Sequence, residues 1–305
     1  MMKGDGGPHG WLVVDKPLGI SSHRVVEIVR HRTKSKVGHA GTLDPLATGV
    51  LPIAIGKATK TTSYAMAGRK RYCFRIRWGV ARSTDDCEGE ITRECEARPS
   101  RSAIEAALPH FRGCIQQHPP AHSAIKINGC RAYKLARANR LPVLLSRTVE
   151  VAEFRLIATP DPDHADCEAL VGKGTYIRAL ARDLGAALGT FAHVSRLRRL
   201  SVGRFTESQA ITLDSLAEHA HISNDCSCLL PIETALDDIP ALVLTAAEAA
   251  RLCSGQRVVP GDASTRRDPD PLQEGAVVGA WHGQALVALA RIEGGCLRPM
   301  RVINR

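Results

Sequence analysis

Apolar residues in the N-terminal part of the chain repeat with two different periods. The run Trp11–Val14 is closed by the turn sequence DKPLG at 15–19, which predicts a strand followed by a turn. Ser22 is a candidate N-cap for a helix whose apolar stripe consists of Val25, Val26, Ile28 and Val29. Residues 72–78 alternate with period two and predict a strand whose apolar face consists of Tyr72, Phe74, Ile76 and Trp78.

The middle of the chain mixes helix and strand patterns without a regular βαβ order. Ser102 and Glu105 have the spacing of a capping box, and Thr175 is a candidate cap for a helix ended by Gly185. Further strands are predicted at 149–157 and 167–171. This order of elements predicts an α+β fold with a mixed, largely antiparallel sheet.

A change in composition near residues 223–240 divides the chain into two predicted domains. After it, Thr245 and Glu248 form a second capping box, and strands are predicted at 276–281, 285–292 and 297–303. The stretch 260–271, rich in Pro, Gly and Asp, is predicted to be a mobile surface loop. We therefore predict a disordered lead over 1–9, a main domain over 10–240 and a small β-rich domain over 241–305.

The overall charge favours a polyanionic partner. The chain has 305 residues, with 41 Lys and Arg against 31 Asp and Glu, and its net charge is +10. Only 4% of the residues are aromatic, too few for the stacking platforms of a general single-strand binder, so phosphate contacts should dominate binding to nucleic acid. A merely basic soluble protein is the alternative that charge alone leaves open.

No apolar stretch has the roughly 18–20 residues of a membrane span, and no signal-peptide pattern is present, so we predict a cytoplasmic protein without membrane contact.

Ten cysteines are spread along the chain without a metal-binding pattern. No CxxC pair occurs, and Cys226-Ser227-Cys228 has no second pair at zinc-ligand spacing. Without an export signal, free and mostly buried thiols are predicted. No metal site is predicted.

The Gly-rich stretch from Gly38 to Gly49 contains the strongest candidate for chemistry. Pro45 keeps Asp44 out of the α region, so the carboxylate of Asp44 lies on a loop of defined path. A nucleophile or a general base requires a carboxylate that is fixed in this way. From these residues alone, an Asp-Pro turn without catalytic function remains the alternative.

The sequence GHAGTLDPLATGVL at 38–51 resembles the signature of the TruB family of tRNA pseudouridine synthases. Further segments similar to that family follow in its order, at 15–22, 70–72, 117–120, 123–126, 129–133, 173–178 and 192–199. The C-terminal part resembles the family's small PUA-like RNA-binding domain more weakly. The chain departs from the family pattern at Arg82-Ser83, at His122 and at Val171-Gly172.

The resemblance implies isomerisation of uridine to pseudouridine at position 55, in the T-loop of tRNA. The N-glycosidic bond to C1′ breaks, the uracil turns within the site, and C5 joins C1′. The base must leave its stack to be reached. Nothing is oxidised or consumed, so no cofactor and no metal is implied, and the chain has no Walker A sequence.

The resemblance also implies roles for individual residues. Asp44 is the implied catalytic carboxylate, which either attacks C1′ or removes the C2′ proton, and Arg178 is the cation expected beside it. Tyr72 is expected to stack on the uracil and to help remove the C5 proton. The implied substrate-binding residues are His39, Tyr176, Leu197, Lys16 and Lys126. The implied phosphate contacts are Lys70, Arg71, Arg131 and Lys134.

Two other functions stay open at this point. A non-catalytic tRNA-binding or tRNA-folding chaperone would have the same basic surface, but it would not need Asp44 in a Gly-framed loop. A relative that acts on ribosomal RNA within a guide-RNA complex is disfavoured by the short N-terminal lead and the lack of long basic tails. We expect a monomer that binds the T-stem-loop of tRNA.

Overall fold

The described part of the chain forms nineteen strands and seven α-helices. It comprises residues 7–123, 125–127, 129–138, 144–218, 222–224, 226–261, 265–266 and 273–303 of a computed structural model. The strands are β1 (Gly10–Lys16), β2 (Val37–His39), β3 (Ala47–Ile55), β4 (Lys70–Trp78), β5 (Val80–Arg82), β6 (Ile91–Glu94), β7 (Gly113–Gln117), β8 (Lys126–Ile127), β9 (Cys130–Arg131), β10 (Arg147–Asp161), β11 (His164–Val171), β12 (Ala192–Val202), β13 (Phe205–Thr206), β14 (Leu229–Leu230), β15 (Ala241–Val243), β16 (Thr265–Arg266), β17 (Val277–His282), β18 (Ala285–Glu293) and β19 (Cys296–Val302). The helices are α1 (Ser22–Thr33), α2 (Thr62–Ala67), α3 (Arg101–Ala107), α4 (Ala132–Arg137), α5 (Ile177–Ala187), α6 (Leu213–Glu218) and α7 (Ala246–Cys253).

A ten-stranded sheet forms the larger part of the fold. Its strands lie in the order β14-β1-β3-β12-β4-β11-β10-β7, with β2 beside β3 and β13 beside β12. The pairs are antiparallel except for β3 and β12, which run parallel. Helix α5 packs against β12. The predicted α+β fold with a mixed, largely antiparallel sheet is confirmed.

The period-two pattern of residues 72–78 is confirmed in β4, near the middle of this sheet. Phe74, Ile76 and Trp78 are buried, and Tyr72 packs at the edge of the same apolar cluster. Arg75 points to the other face, where its Nε lies 2.6 Å from Asp166 Oδ1. The alternation therefore fixes which side of β4 faces the core.

The predicted helix caps differ from those observed in three places. Ser21, and not Ser22, is the N-cap of α1 and accepts a hydrogen bond from the Arg24 amide at 3.2 Å. The one-residue shift turns Ser22 into the core, where it serves the loop described below.

The other two differences concern α3 and α5. The capping box predicted from Ser102 and Glu105 is absent, and Ser100 is the N-cap of α3. Thr175 does not cap α5, whose N-cap residue is Tyr176. In both cases the pattern located the helix and missed its first residue.

Residues from Ala241 onward form a second sheet, in the order β16-β15-β17-β18-β19. The three predicted C-terminal strands are confirmed as β17, β18 and β19, and the capping box of Thr245 and Glu248 opens α7. The two sheets share an apolar cluster, to which β1 contributes Trp11 and Val13 and the second sheet contributes Leu286 and Leu289.

The cysteines differ from the prediction of free, mostly buried thiols. Cys226 and Cys228 are joined in a disulfide, because their spacing brings the Cα atoms to 5.3 Å, within the range that a disulfide bridges. Among the free thiols of the described residues, Cys167 is buried, whereas Cys87 and Cys114 are exposed. The prediction of free thiols is therefore wrong for Cys226 and Cys228 and confirmed for the seven free cysteines of the described residues, whereas the prediction of mostly buried thiols is wrong.

The predicted lead and loop fall largely outside the described residues. Residues 1–6 of the lead lie outside them, but Pro8 is buried, and the His9 amide donates to Asn224 Oδ1 at 2.9 Å. These contacts order residues 8–9, contrary to the prediction. Most of the loop 260–271 also lies outside, and its described part includes β16. No helix in the described ranges combines the length and the apolar character of a membrane span.

Candidate active site

The loop between β2 and β3 carries Asp44. β2 ends at His39 and β3 begins at Ala47, so the loop proper is shorter than the Gly-rich stretch that contains it. The Ala47 amide donates to the Asp44 carbonyl at 3.0 Å, which closes the turn. The Asp44 side chain is 37% exposed. Its carboxylate is thus held on a fixed backbone and is open on one side.

A buried arginine beneath the loop binds the chain on both sides of Asp44. Arg199 is 1% exposed, and its Nε donates to the Val50 carbonyl at 2.8 Å. Its Nη2 donates to the Gly41 carbonyl at 3.0 Å. Because the parallel pairing of β3 and β12 sets Gly49 opposite Arg199, the sheet register determines where the loop lies.

Two polar side chains bind the loop from the β1–α1 side. Lys16 is fully buried, and its Nζ donates to the carbonyls of Ile20 at 2.8 Å and Pro45 at 3.2 Å. Burial lowers the pKa of Lys16 to about 8, although the nearby Asp44 carboxylate opposes this shift. Ser22 Oγ accepts from the amide of Leu43 and donates to its carbonyl, both at 2.8 Å. Lys16 therefore supports the loop backbone, and its predicted substrate-binding role stays a prediction.

Arg178 connects Asp44 to a second carboxylate. It lies in the first turn of α5 and is 4% exposed. Its Nη2 lies 2.9 Å from Asp44 Oδ2, and its Nη1 lies 3.2 Å from Asp86 Oδ2. Asp86 is 2% exposed and also accepts a hydrogen bond from the Glu88 amide at 3.0 Å. Because a guanidinium is a planar fork, two carboxylates on its two ends fix its orientation.

Two backbone carbonyls complete the surroundings of the Arg178 guanidinium. Nη1 donates to the Thr84 carbonyl at 2.8 Å, and Nη2 donates to the His122 carbonyl at 3.0 Å. These segments are the ones where the chain departs from the family pattern, at Arg82-Ser83 and at His122. Since backbone oxygens make the contacts, the departures leave these hydrogen bonds in place.

Tyr176 precedes α5 and is bound through its backbone. The Tyr176 amide donates to Gln117 Oε1 at 2.8 Å, and Gln117 Nε2 donates to the Tyr176 carbonyl at 3.1 Å. Burial raises the pKa of the Tyr176 hydroxyl, and the Asp44 carboxylate raises it further. The phenol and the carboxylate therefore lie within electrostatic reach of each other.

Sheet register relates Leu197 directly, and Tyr72 through Arg199, to β3, the strand that follows the Asp44 loop. Leu197 pairs with Ala47, the first residue of β3, and Tyr72 of β4 pairs with Arg199. Leu197 is buried, Tyr72 is half-buried, and both belong to the apolar cluster that surrounds the loop. His39 is half-buried at the end of β2. His39 and Leu197 thus lie on strands paired with β3, and Tyr72 lies on β4, one strand farther from the Asp44 loop.

Two predicted phosphate contacts, Lys70 and Arg71, have polar partners within the protein. Lys70 is 8% exposed, its Nζ donates to two backbone carbonyls at 2.5 Å, and burial lowers its pKa to about 8. Arg71 is ion-paired with Glu168 at 2.6 Å and with Glu153 at 3.1 Å. β4 turns Lys70 inward and the neighbouring strands supply carboxylates to Arg71, so both phosphate contacts stay predictions that this geometry does not favour.

The structure gives backbone positions alone for three other predicted contacts. Lys126 lies in β8, Arg131 in β9 and Lys134 in α4, and their side chains lie outside the described residues. Within the part of the chain that is described, no group of three or more His, Cys, Asp or Glu side chains is placed to hold a metal ion.

Comparison with known proteins identifies the family. Residues 29–177 match the N-terminal domain of the TruB family pseudouridylate synthases, and residues 178–237 match the tRNA pseudouridylate synthase B C-terminal domain. The tRNA pseudouridine synthase B of Bradyrhizobium diazoefficiens is 49% identical over 302 residues, covering 97% of this chain and 86% of the relative. The tRNA pseudouridine synthase B of Rhodospirillum rubrum is 49% identical over 297 residues, covering 97% of this chain and 96% of the relative. The chain belongs to the TruB family.

Solved structures support the same fold for this TruB family member. A Cbf5–Nop10–Gar1 complex matches with a TM-score of 0.74 and 26% identity, covering 97% of this chain and 85% of that chain. An H/ACA RNP bound to a substrate RNA containing 2′-deoxyuridine matches with a TM-score of 0.74 and 24% identity, covering 100% and 92%. The second likeness concerns the fold alone.

The sequence analysis assigned no role to four residues of this TruB site. They are Ser22, Asp86, Gln117 and Arg199. A signal was present for Arg199, because strand alternation sets it on the same face as the apolar Leu197. A charged residue on a buried face needs polar partners, and here they are the loop carbonyls. Asp86 and Gln117 carry no such signal, since their partners come from distant segments.

Proposed function

We propose that this protein is a tRNA pseudouridine synthase that converts the T-loop uridine at position 55 to pseudouridine. It is then an isomerase that needs no cofactor. Family membership supports the reaction class, and one observation supports the site: Asp44 Oδ2 lies 2.9 Å from Arg178 Nη2 on a loop with buried supports.

Asp44 is more exposed than its ion-pair partner Arg178, as the proposed reaction requires. The Asp44 side chain is 37% exposed, whereas that of Arg178 is 5% exposed. The carboxylate can therefore meet the sugar of an everted nucleotide, while the cation that stabilises its charged form stays fixed behind it. Attack on C1′ and removal of the C2′ proton both need this charged, oriented carboxylate.

The residues around Asp44 have complementary proposed roles. Tyr72 stacks on the everted uracil and assists removal of the C5 proton, and Leu197 packs on the base. Tyr176 lines the pocket, and His39 occupies the space that the base leaves in the RNA. The proposed enzyme acts as a monomer in the cytoplasm. Residues 10–240 form the proposed catalytic domain, and residues 241–305 form the proposed PUA-like domain.

The deciding experiment measures tritium release from tRNA labelled at C5 of uridine. We expect the wild-type protein to release tritium, and Asp44→Asn to bind the tRNA but lose about a thousandfold or more of the rate. Asp214→Asn, which changes an aspartate in α6, is the matched control and should keep full activity.

Other outcomes favour the competing functions. Release by Asp44→Asn at the wild-type rate would contradict the proposed site. Tight tRNA binding by a wild-type protein that releases no tritium would favour a chaperone. A wild-type protein that is inactive on an isolated T-stem-loop transcript and active with a guide RNA would favour a guide-dependent relative.

A further inference from the structure

Arg147 lies on the site side of the sheet. It is the first residue of β10 and pairs with Gln117, the last residue of β7. Residues directly opposite each other in an antiparallel ladder point to the same face. The Gln117 side chain is buried and holds both polar backbone groups of Tyr176. Arg147 is thus placed beside Tyr176.

The positive charge of Arg147 acts on the Tyr176 hydroxyl. It opposes the rise in the pKa of Tyr176 that burial causes, and Asp44 and Arg178 are the other charged groups that act on this phenol. Arg147 is therefore within electrostatic reach of the Tyr176 hydroxyl, as are Asp44 and Arg178.

Arg147 has no acidic partner among the described residues. Its side chain makes no ion pair and no hydrogen bond there. Four arginines of β4, β10 and the turn before β4 are instead bound to carboxylates, namely Arg69 to Glu150, Arg71 to Glu168, Arg75 to Asp166 and Arg155 to Glu168. A half-buried guanidinium without a carboxylate leaves its planar fork of donors available to an anion.

A buried hydroxyl next to Tyr176 is also unsatisfied. Ser123 is 3% exposed, and its Oγ has no hydrogen-bond partner of normal geometry, although it lies close enough to the Tyr176 hydroxyl to influence its pKa. A buried hydroxyl without a partner is unfavourable, so an acceptor supplied by a ligand would be bound well.

We propose that Arg147, together with the hydroxyls of Ser123 and Tyr176, forms a phosphate-binding subsite for the phosphodiester next to the substrate uridine. The inference rests on the proposed function and adds a residue to it. A phosphodiester is an anion whose oxygens only accept hydrogen bonds, and the subsite offers a cation and two hydroxyl donors. A uracil edge presents donors as well as acceptors and carries no charge, so it fits this set less well.

The first test compares Arg147→Gln with Arg155→Gln on a T-stem-loop RNA. Arg155 lies on the same strand and is already paired with Glu153 and Glu168, so it is a matched control. For Arg147→Gln we expect KM to rise about fivefold to tenfold with kcat within about twofold, and the slope of log Kd against log salt to fall by about one. Arg155→Gln should match the wild type. An unchanged salt slope for Arg147→Gln would overturn the proposal.

The second test locates the phosphate. Uncharged methylphosphonate linkages are placed one at a time on either side of the target uridine. One linkage should raise the KM of the wild type about as much as Arg147→Gln does, and should add nothing further to that variant. Additive losses at every linkage would overturn the proposal. If Arg147→Gln does not fold, Arg147→Lys takes its place. For Arg147→Lys we expect the salt slope of the wild type, because the charge remains, and a raised KM, because the planar guanidinium is lost.

These outcomes are distinct from failure of the proposed function. If the wild type releases tritium and Asp44→Asn does not, the enzyme assignment stands whatever Arg147 does. Ser123→Ala gives an independent reading, because loss of one neutral hydrogen bond should raise KM about threefold without changing the salt slope. A changed salt slope for Ser123→Ala would point to a general structural effect and against a phosphate contact.

Discussion

At the scale of single residues, the site consists of three connected charges, Asp44, Arg178 and Asp86. Burial of Arg178 or Asp86 without an ion-pair partner would be unfavourable. Arg178 is 4% exposed and Asp86 is 2% exposed, so each requires the other. Asp44 is the member of the group that reaches solvent. The buried pair of Arg178 and Asp86 thus orients the Asp44 carboxylate.

Arg178→Lys should separate charge from geometry. A lysine keeps the positive charge, but it cannot span Asp44 and Asp86 at 2.9 and 3.2 Å while also meeting two carbonyls. We expect single-turnover tritium release to fall about a hundredfold, with little change in tRNA binding. Arg101→Lys, in an exposed pair with Glu105, is the control. A wild-type rate for Arg178→Lys would show that the fork does not matter.

Lys70 should make stability depend on pH in the alkaline range. Its pKa is about 8 in the folded protein and 10.5 when exposed, so between these values the unfolded state binds the additional proton. The free energy of unfolding should therefore rise with pH through this window, by up to about 3 kcal/mol for this residue.

The measurement is urea denaturation of wild type and Lys70→Met at several pH values from 7.5 to 10.5. The wild type should gain stability relative to the variant as the pH rises. Lys36→Met, which removes an exposed lysine, should show a difference that does not vary with pH. A constant difference for Lys70→Met would contradict burial of the ammonium group.

At the scale of elements, the decisive feature is the parallel pair β3 and β12 within an otherwise antiparallel sheet. This pairing sets Gly49 against Arg199 and Ala47 against Leu197. It therefore fixes the position of the Asp44 loop, which leads into β3, relative to the side chains of β12.

Gly49→Ala should disrupt this contact. Gly49 has φ of +100°, and a Cβ there would lie 2.2 Å from the Arg199 carbonyl oxygen. Both backbone strain and the clash contribute, so we expect unfolding in urea to lose about 3 kcal/mol or more. Gly113→Ala is the matched control, because Gly113 also has a positive φ, +82°, but an added Cβ would meet no atom within 4 Å. It should lower the free energy of unfolding by about 1 kcal/mol. Equal losses would mean that the close approach to Arg199 is not important.

At the scale of the whole molecule, the two sheets are joined by apolar packing. The cluster that contains Trp11 and Val13 of β1 also contains Leu286, Leu289 and Ile303. Because β1 pairs with β3, this contact also supports β3, the strand into which the Asp44 loop leads. We expect the two parts to unfold together.

Leu289→Ala should lower the stability of both parts. Leu289 is fully buried in the shared cluster, so the truncation should cost about 2–5 kcal/mol in the free energy of unfolding. Calorimetry should show one transition for the wild type, at a lower Tm in the variant. Leu145→Ala, at a position 83% exposed, should change little. Two separate wild-type transitions would contradict shared packing.

Much of this fold and site could be predicted from local sequence. Period-two alternation identified β4, strand-like runs identified the C-terminal strands, and the Asp-Pro sequence identified Asp44 as a loop carboxylate. These features depend on neighbouring residues, whose periodicity and backbone restrictions are encoded in the chain itself.

The tertiary structure alone decided which charges are buried and what they bind. Lys70 and Arg71 are adjacent basic residues in the sequence. Lys70 is buried and donates to backbone carbonyls, whereas Arg71 is neutralised by Glu153 and Glu168, which are distant in the sequence. Asp86 reaches Arg178 only after the fold has brought their segments together. Desolvation and ion pairing depend on partners brought together by the fold, and no local pattern contains them.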